Sequence, residues 1–333
     1  MRVLVTGAAG FIGAATAFSL LERGDEVIGI DNCNDYYDIN LKDARLRHLR
    51  ERFSDRFVFI KQDFGNTAAL NATLADEDFD TIVHLGAQAG VRYSLENPHA
   101  YAHANLLGHL NVLEIARHRK IAHMIYASSS SVYGGNTKLP FEIGDTVNHP
   151  LSLYAATKIA DELMSETYAH LYRLPLSGLR FFTVYGPWGR PDMMMWIFTV
   201  RILKGQSIPV FNQGEMYRDF TYVDDVVKGV LACLDQPPVD DGAIKAGGST
   251  APHRLYNIGN NRSEHLMKVI GLLEQECARK AHLEMLPMQP GDVPRTFADI
   301  DAIRADVGYD PTTPIETGVP RFVKWFKDYH AIS

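Results

Sequence analysis

In LYAATKIADEL, Tyr154 and Lys158 are four residues apart, a spacing that puts a phenol and an ammonium on one face of a helix. A phenol ionises with a reference pKa of about 10 and is a poor base near neutrality, but an adjacent positive charge favours its phenolate, so the pair is a candidate general base. Upstream lies YASSSSVYGG, residues 126–135, with four consecutive serines before Tyr133. Serine runs are commonly solvated connectors, so position decides whether this one does chemistry. At the front of the chain GAAGFIG carries Gly7, Gly10 and Gly13, which let a turn tighten, a pyrophosphate approach the backbone, and a helix pack on a strand. Asp31 follows the second apolar run, placed to accept ribose hydroxyls and to repel a 2′-phosphate, which favours NAD over NADP. Asp63, after the third run, is open to two readings, a bracket for the adenine or an ordinary turn aspartate.

These residues need a scaffold, and the chain supplies its rhythm. Short β-branched runs alternate with amphipathic stretches: RVLVTG, then 11–23; EVIGID, then 39–52; FVFIKQD; TIVHLGA, then about 100–118; HMIYASS, then about 152–172; LSGLRFF. Such alternation predicts an α/β fold, a Rossmann-type doubly wound parallel sheet covered by helices. The serine run then lies at the carboxyl edge of the fifth strand, where open α/β sheets take their ligands, and a linker does not belong there. Beyond residue 183 the pattern loosens, with helices expected near 194–204, 223–235 and 264–279 and an exposed excursion at 236–253. The expected division is a nucleotide-binding domain over 1–182 and a smaller, irregular α/β substrate domain over 183–333, with about 215–260 returning to the first.

Composition excludes other classes. The 46% apolar content is ample for a core, and a net charge of −7 with interspersed signs leaves no basic stripe for nucleic acid and no polybasic membrane patch. No apolar stretch is long enough for a membrane span, and MRVLVTG enters a strand at once, so no leader is expected. Cys33, Cys233 and Cys277 lack CxxC spacing, which fits a reducing cytoplasm and gives no disulfide framework or zinc site. The histidines are scattered, no metal is expected, and GxSxG is absent. Arg45, Arg47, Arg50 and Arg52 read as a solvated basic face, and Met193, Met194 and Met195 as packing for the second domain.

The glycine loop, Asp31, Ser129, Tyr154 and Lys158, in this order and spacing, resemble the extended short-chain dehydrogenase/reductase family, whose YxxxK pair and strand-five serine or threonine form the catalytic set. SLYAATK, LRFFTVYGPWGRPDM, VFNQGEMYRDFTYVDD, YNIGNN and MLPMQPGDV narrow this to a similarity with the UDP-glucuronate 4-epimerases over nearly the whole chain. The resemblance implies interconversion of UDP-glucuronate and UDP-galacturonate by transient oxidation at C4, rotation of the 4-keto sugar and hydride return, with tightly bound NAD regenerated each turnover. It assigns Tyr154 as base, Lys158 to the nicotinamide ribose and Ser129 to the reacting oxygen. Phe11, Ile12, Asn32, Phe64, Leu85, Ala87, Gln88 and Asn105 are implied as further cofactor contacts. On the substrate side it implies Arg218 at the diphosphate, Val210, Phe211 and Asn212 at the base, and Asp292 and Arg295 nearby. Dehydratases and decarboxylases of this kind typically carry an acid where this chain has Ser131, and dehydratases often a second at Ser130. We expect Ser130, Ser131 and Thr183 to grip the uronate carboxylate, with Arg190 or Arg92 as cationic partner. Relatives also imply a homodimer through a four-helix bundle built on the helices near 100–118 and 152–172. The alternatives are a UDP-hexose 4-epimerase, a UDP-glucuronate decarboxylase and a non-catalytic nucleotide-binding module.

Overall fold

Strands covered on both faces need no polar side, and this chain has several: TIVH at 81–84 and LSGLRF at 176–181 are buried along their whole length. The computed structural model describes residues 1–289 and 292–332. Its first half runs β1 (Arg2–Thr6), α1 (Phe11–Glu22), β2 (Glu26–Asp31), α2 (Ile39–Arg52), β3 (Phe57–Lys61), α3 (Thr67–Leu74), β4 (Thr81–His84), the short α4 (Tyr93–Glu96) and α5 (Pro98–Tyr101), a π-helical turn (Ala102–Leu107), α6 (Gly108–Arg119), β5 (His123–Ser129), α7 (Leu153–Tyr172) and β6 (Leu176–Phe181). The remainder comprises β7 (Thr183–Tyr185), α8 (Met194–Lys204), β8 (Ser207–Phe211), β9 (Tyr217–Tyr222), α9 (Val223–Leu234), β10 (His253–Ile258), β11 (Ser263–His265), α10 (Leu266–Glu276), β12 (His282–Leu286), α11 (Asp301–Val307) and α12 (Ile315–Tyr329).

Seven parallel strands form the main sheet in the order β3-β2-β1-β4-β5-β6-β10, the doubly wound arrangement expected from the sequence. Strand order reverses between β1 and β4, which opens a crevice at their carboxyl ends. Alternate residues serve opposite faces: Val3, Val5 and Ile125 pack with α1 and α9, while Leu4, Ile82 and Met124 pack with α3, α6 and α7. α9 and β10 lie with this larger body although the chain has by then built β7, β8 and β9. A third core, with Ile202, Ile208, Phe220, Leu273 and Phe322, fills the smaller body under α8, α10 and α12. Its strands form the three-stranded β11-β9-β7 and the two-stranded β12-β8.

The helix expected near 100–118 is present, running through α5, the π turn and α6 with helical dihedrals at both junctions. Asn97 caps α5 with Pro98 in its first turn, and a π turn intervenes before α6, with Asn105 of that turn buried and hydrogen-bonded away from its own helix. α7 starts cleanly, because the Ser152 hydroxyl accepts from Ala155 N at 3.1 Å.

α7 is fixed to the sheet by charge as well as by packing. Glu162 takes both a 2.9 Å bond from Arg180 Nε and a 2.9 Å bond from Arg180 Nη2, and Ser128 donates to it at 2.5 Å. Arg180 Nη1 also donates to the Tyr133 hydroxyl at 3.0 Å, which in turn donates to Asn257 at 2.7 Å. Removing one member of a buried pair strands the other charge, so Glu162→Ala is expected to lower stability by about 3–5 kcal/mol in denaturant titration, and a loss below about 1 kcal/mol would contradict this role.

Candidate active site

Backbone contact sets the glycine loop. Gly7 lies at φ +72°, and a Cβ there would sit 2.7 Å from Gly86 N; one on Gly13 would sit 2.0 Å from Gly7 O. The first backbone bond of α1 runs from Ala14 N to Gly10 O, so the N–H groups of Phe11, Ile12 and Gly13 precede the ladder. They open onto a cleft of about 840 Å³. Asp31 is buried at the end of β2, its two oxygens accepting from Ala9 N at 3.1 Å and Cys33 N at 2.8 Å. Asn32, Phe64, Leu85, Ala87 and Gln88 line the same cleft. A tight glycine cradle, free helix N–H groups and a fixed carboxylate over the second strand fit a dinucleotide.

Two of the expected cofactor contacts stand apart from this lining. Asp63 turns into its own loop, accepting from Gly65 N at 2.7 Å and meeting His103 Nε2 at 3.2 Å. Asn105 is a buried brace: it accepts from Gln88 N at 2.8 Å and donates to Gln88 O at 3.1 Å and to Thr157 at 2.9 Å, holding the loop after β4 against α7.

The basic face expected on α2 is corrected at one position. Arg47, Arg50 and Arg52 are exposed, whereas Arg45 is buried, donating to Ala9 O at 2.9 Å, Tyr37 Oη at 2.7 Å and Trp188 O at 2.5 Å. It ties the glycine loop to the segment carrying Arg190. Three residues earlier Lys42 lines the cleft and donates to Asn34 O at 2.7 Å; burial holds its ammonium below the ordinary lysine range, with Asp31 opposing. The i, i+3 spacing of Lys42 and Arg45 on the side of α2 facing Leu41 and Leu46 was the available signal for both.

Ser129 ends β5, and Ser130 and Ser131 open the following 3₁₀ turn, all on the cleft wall with Tyr154, Lys158 and Thr183. The Ser129 hydroxyl accepts from Ser131 N at 3.2 Å. Lys158 is buried and donates to Ala127 O at 3.1 Å and Asp161 Oδ2 at 2.9 Å. Burial works against its ammonium, but Asp161, Tyr154 and Glu162 together carry it above the ordinary lysine range. The Tyr154 ring meets Tyr101 edge-on at 6.1 Å, and Tyr101 donates to Ala89 O at 2.9 Å.

Across the cleft, Arg190 is gripped by Asp192 at 2.9 and 2.5 Å, and Tyr36 donates to the same carboxylate at 3.1 Å. The Arg92 guanidinium lies 5.3 Å from the Phe211 ring centroid, joining the loop after β4 to β8. Arg218 contacts Asp292 at 3.3 Å, and both line the cleft. One substrate-side expectation is corrected. Pro209 and Phe211 face the cleft, so the two-residue period of β8 sends Val210 into the smaller core, where it is fully buried. Asn212 turns its amide to Glu215 O at 2.7 Å, and Arg295 lies over Tyr217 with Nε 3.3 Å from Ser263 Oγ; neither is on the lining. Of MQPGDV, Pro290 and Gly291 lie outside the described residues. Met195 packs the smaller core as expected and Met194 packs against it while also reaching the cleft, whereas Met193 lines the cleft.

A family model described as GDP-mannose 4,6 dehydratase matches residues 4–322. The chain is 47% identical over 336 residues to UDP-glucuronate 4-epimerase 4 of Arabidopsis thaliana, covering 99% of this chain and 76% of that one. It is 44% identical over 332 residues to a probable UDP-glucuronate 4-epimerase of Rhizobium meliloti, covering 98% and 97% of the two. The crystal structure of UDP-glucuronic acid 4-epimerase from Bacillus cereus, in complex with UDP-glucuronic acid and NAD, matches with a TM-score of 0.87 at 32% identity, covering 99% of this chain and 100% of that chain. The chain thus belongs to the extended short-chain dehydrogenases/reductases of the GDP-mannose 4,6 dehydratase type, and within them it is similar in sequence and structure to the UDP-glucuronate 4-epimerases.

Proposed function

We propose that this protein is a UDP-glucuronate 4-epimerase, interconverting UDP-glucuronate and UDP-galacturonate with NAD held through the cycle. The observation that carries the reading is the chemistry of the wall beside Tyr154: Ser129, Ser130, Ser131 and Thr183 give it four hydroxyls and no carboxylate. Acids on the described lining are Asp31 under the glycine loop, Glu96, and Asp192 and Asp292, the last two facing arginines. The dehydratases and decarboxylases this chain resembles typically carry acids on this turn, and Ser130 and Ser131 stand in those places here.

NAD, when bound, supplies a hydride acceptor at C4 and returns the hydride, so no external oxidant is consumed. The glycine loop and the first turn of α1 hold its diphosphate and Asp31 its ribose hydroxyls. Tyr154 takes the C4 hydroxyl proton and gives it back, Lys158 supports the phenolate with its charge, and Ser129 hydrogen-bonds the reacting oxygen. Arg218 anchors the substrate diphosphate while the sugar turns. Oxidation at C4 leaves the uronate carboxylate β to a carbonyl, and CO₂ departs readily when the breaking bond aligns with the carbonyl π system. Ser130, Ser131 and Thr183 donate to that carboxylate and keep it out of alignment; Arg190, already paired with Asp192, contributes little net charge.

Leu107 and Leu110 of the π turn and α6, with Leu163, Leu171 and Tyr172 of α7, are exposed. A second copy packing the same two helices across a two-fold axis would cover them, giving a homodimer with a four-helix interface. Three buried, unpaired cysteines favour a reducing cytoplasm. No helix among the described residues is long and apolar enough to cross a membrane.

Tyr154→Phe is expected to cut kcat on UDP-glucuronate by roughly 10²–10⁴-fold while the bound nicotinamide content stays at the wild-type level; near-normal turnover would refute the base assignment. Parallel assays should find UDP-glucose turned over far more slowly than UDP-glucuronate, and the reverse order would favour a UDP-hexose epimerase. Ser131→Glu combined with Thr183→Val should raise the share of decarboxylated product, and an unchanged product ratio would remove the carboxylate grip. Light scattering should give twice the chain mass for the wild type and a shift toward the single-chain mass for Leu163→Arg with Leu171→Arg, whereas a wild-type monomer would exclude the dimer.

A further inference from the structure

Tyr154, Lys158 and Asp161 fall at i, i+4 and i+7 on α7, the spacing of one helical face. The Lys158 and Asp161 side chains are 4% and 1% exposed and meet at 2.9 Å, so this ion pair is shielded from water. An ammonium so buried does not stay ionised without a partner of its own.

The surrounding groups leave one candidate for that partner. Glu162 on α7 is committed to Arg180 of β6 and Ser128 of β5. His84 on β4, hydrogen-bonded to Thr6 at 2.6 Å, is held to about 3 by burial, and His109 on α6 lies well below the ordinary histidine range for the same reason, so both are neutral. Burial raises Tyr101 and Tyr126, which stay protonated. Asp161 Oδ2 makes its one side-chain bond to Lys158, and Oδ1 has no hydrogen-bond partner among the described residues. A carboxylate buried with an orphaned oxygen is costly, and the pairing with Lys158 is what the geometry offers in return.

We propose that Asp161 is a positioning residue for the epimerase reaction, the dedicated counter-ion that keeps Lys158 charged and directed along β5 toward Ala127 O, one turn from Tyr154. The inference rests on the reading of Tyr154 and Lys158 as the acid–base pair. Asp161 touches neither substrate nor dinucleotide in this account; it acts through the lysine.

The test has two readouts. In protein labelled with ¹³C at lysine Cε, with the Lys158 signal assigned by its loss in Lys158→Met, the wild-type signal should show no titration below pH about 10, and Asp161→Asn should move its midpoint down by at least about one unit. This measurement uses no sugar nucleotide, so it succeeds or fails independently of the epimerase assignment. In the kcat–pH profile with UDP-glucuronate, the basic limb should move the same way in Asp161→Asn and return toward the wild-type position in Asp161→Glu, which keeps the charge but overfills the space. A purely structural role would lower the melting temperature and kcat at every pH without moving the limb. Coincident lysine titrations in wild type and Asp161→Asn would overturn the proposal. So would a wild-type Lys158 midpoint well below pH 10, which needs no Asp161 variant to fold.

Discussion

The structure depends on how a helix bearing two acids and a lysine on its buried side is made to lie against a sheet. α7 carries Lys158, Asp161 and Glu162 into an apolar interior, and each charge is matched: Lys158 by Asp161, Glu162 by Arg180 of β6. Such pairs contribute little net stability, because desolvation offsets most of the attraction, but they permit few alternative registers. Sliding α7 by one residue along the sheet would part Glu162 from Arg180 of β6 and Lys158 from the Ala127 carbonyl of β5 at once. That constraint places Tyr154 beside the serine turn, and the chemistry proposed for the cleft follows from it.

A second constraint joins the two halves of the cleft. Arg45 gathers the carbonyl of Ala9 in the glycine loop and that of Trp188 on the far side. The wall that would receive a dinucleotide phosphate and the wall bearing Arg190 are therefore braced by one buried guanidinium. With Arg92 lying over Phe211 and Tyr36 reaching Asp192, the cleft is crossed by contacts between loops distant in sequence. The inner wall offers hydroxyls, groups that can donate to an anion but are far weaker acids than a carboxyl.

Much of this was legible in the residue order. Apolar runs separated by amphipathic stretches predict the doubly wound sheet, and GAAGFIG, Asp31, the serine run and YxxxK fall on one cleft because parallel strands bring their carboxyl ends together. What stayed hidden was tertiary in origin. Arg45 reads as one of four helix arginines until Trp188 and Ala9 come near, and Asp161 reads as an ordinary helix acid until α7 is docked. Asn105 sits in a π turn within the helix expected around it, and its amide bonds across to Gln88 and Thr157. The resemblance puts Val210 at the cleft with its neighbour Phe211, and the strand period separates them.

The central claim is that the hydrogen at C4 of the sugar leaves and returns within one closed cycle. Product analysis by NMR after incubation with UDP-glucuronate in deuterium oxide, with no added dinucleotide or reductant, tests it most directly. The account predicts UDP-galacturonate with protium retained at both C4 and C5. Deuterium at either carbon, or no conversion by protein that carries its full complement of nicotinamide nucleotide, would contradict it.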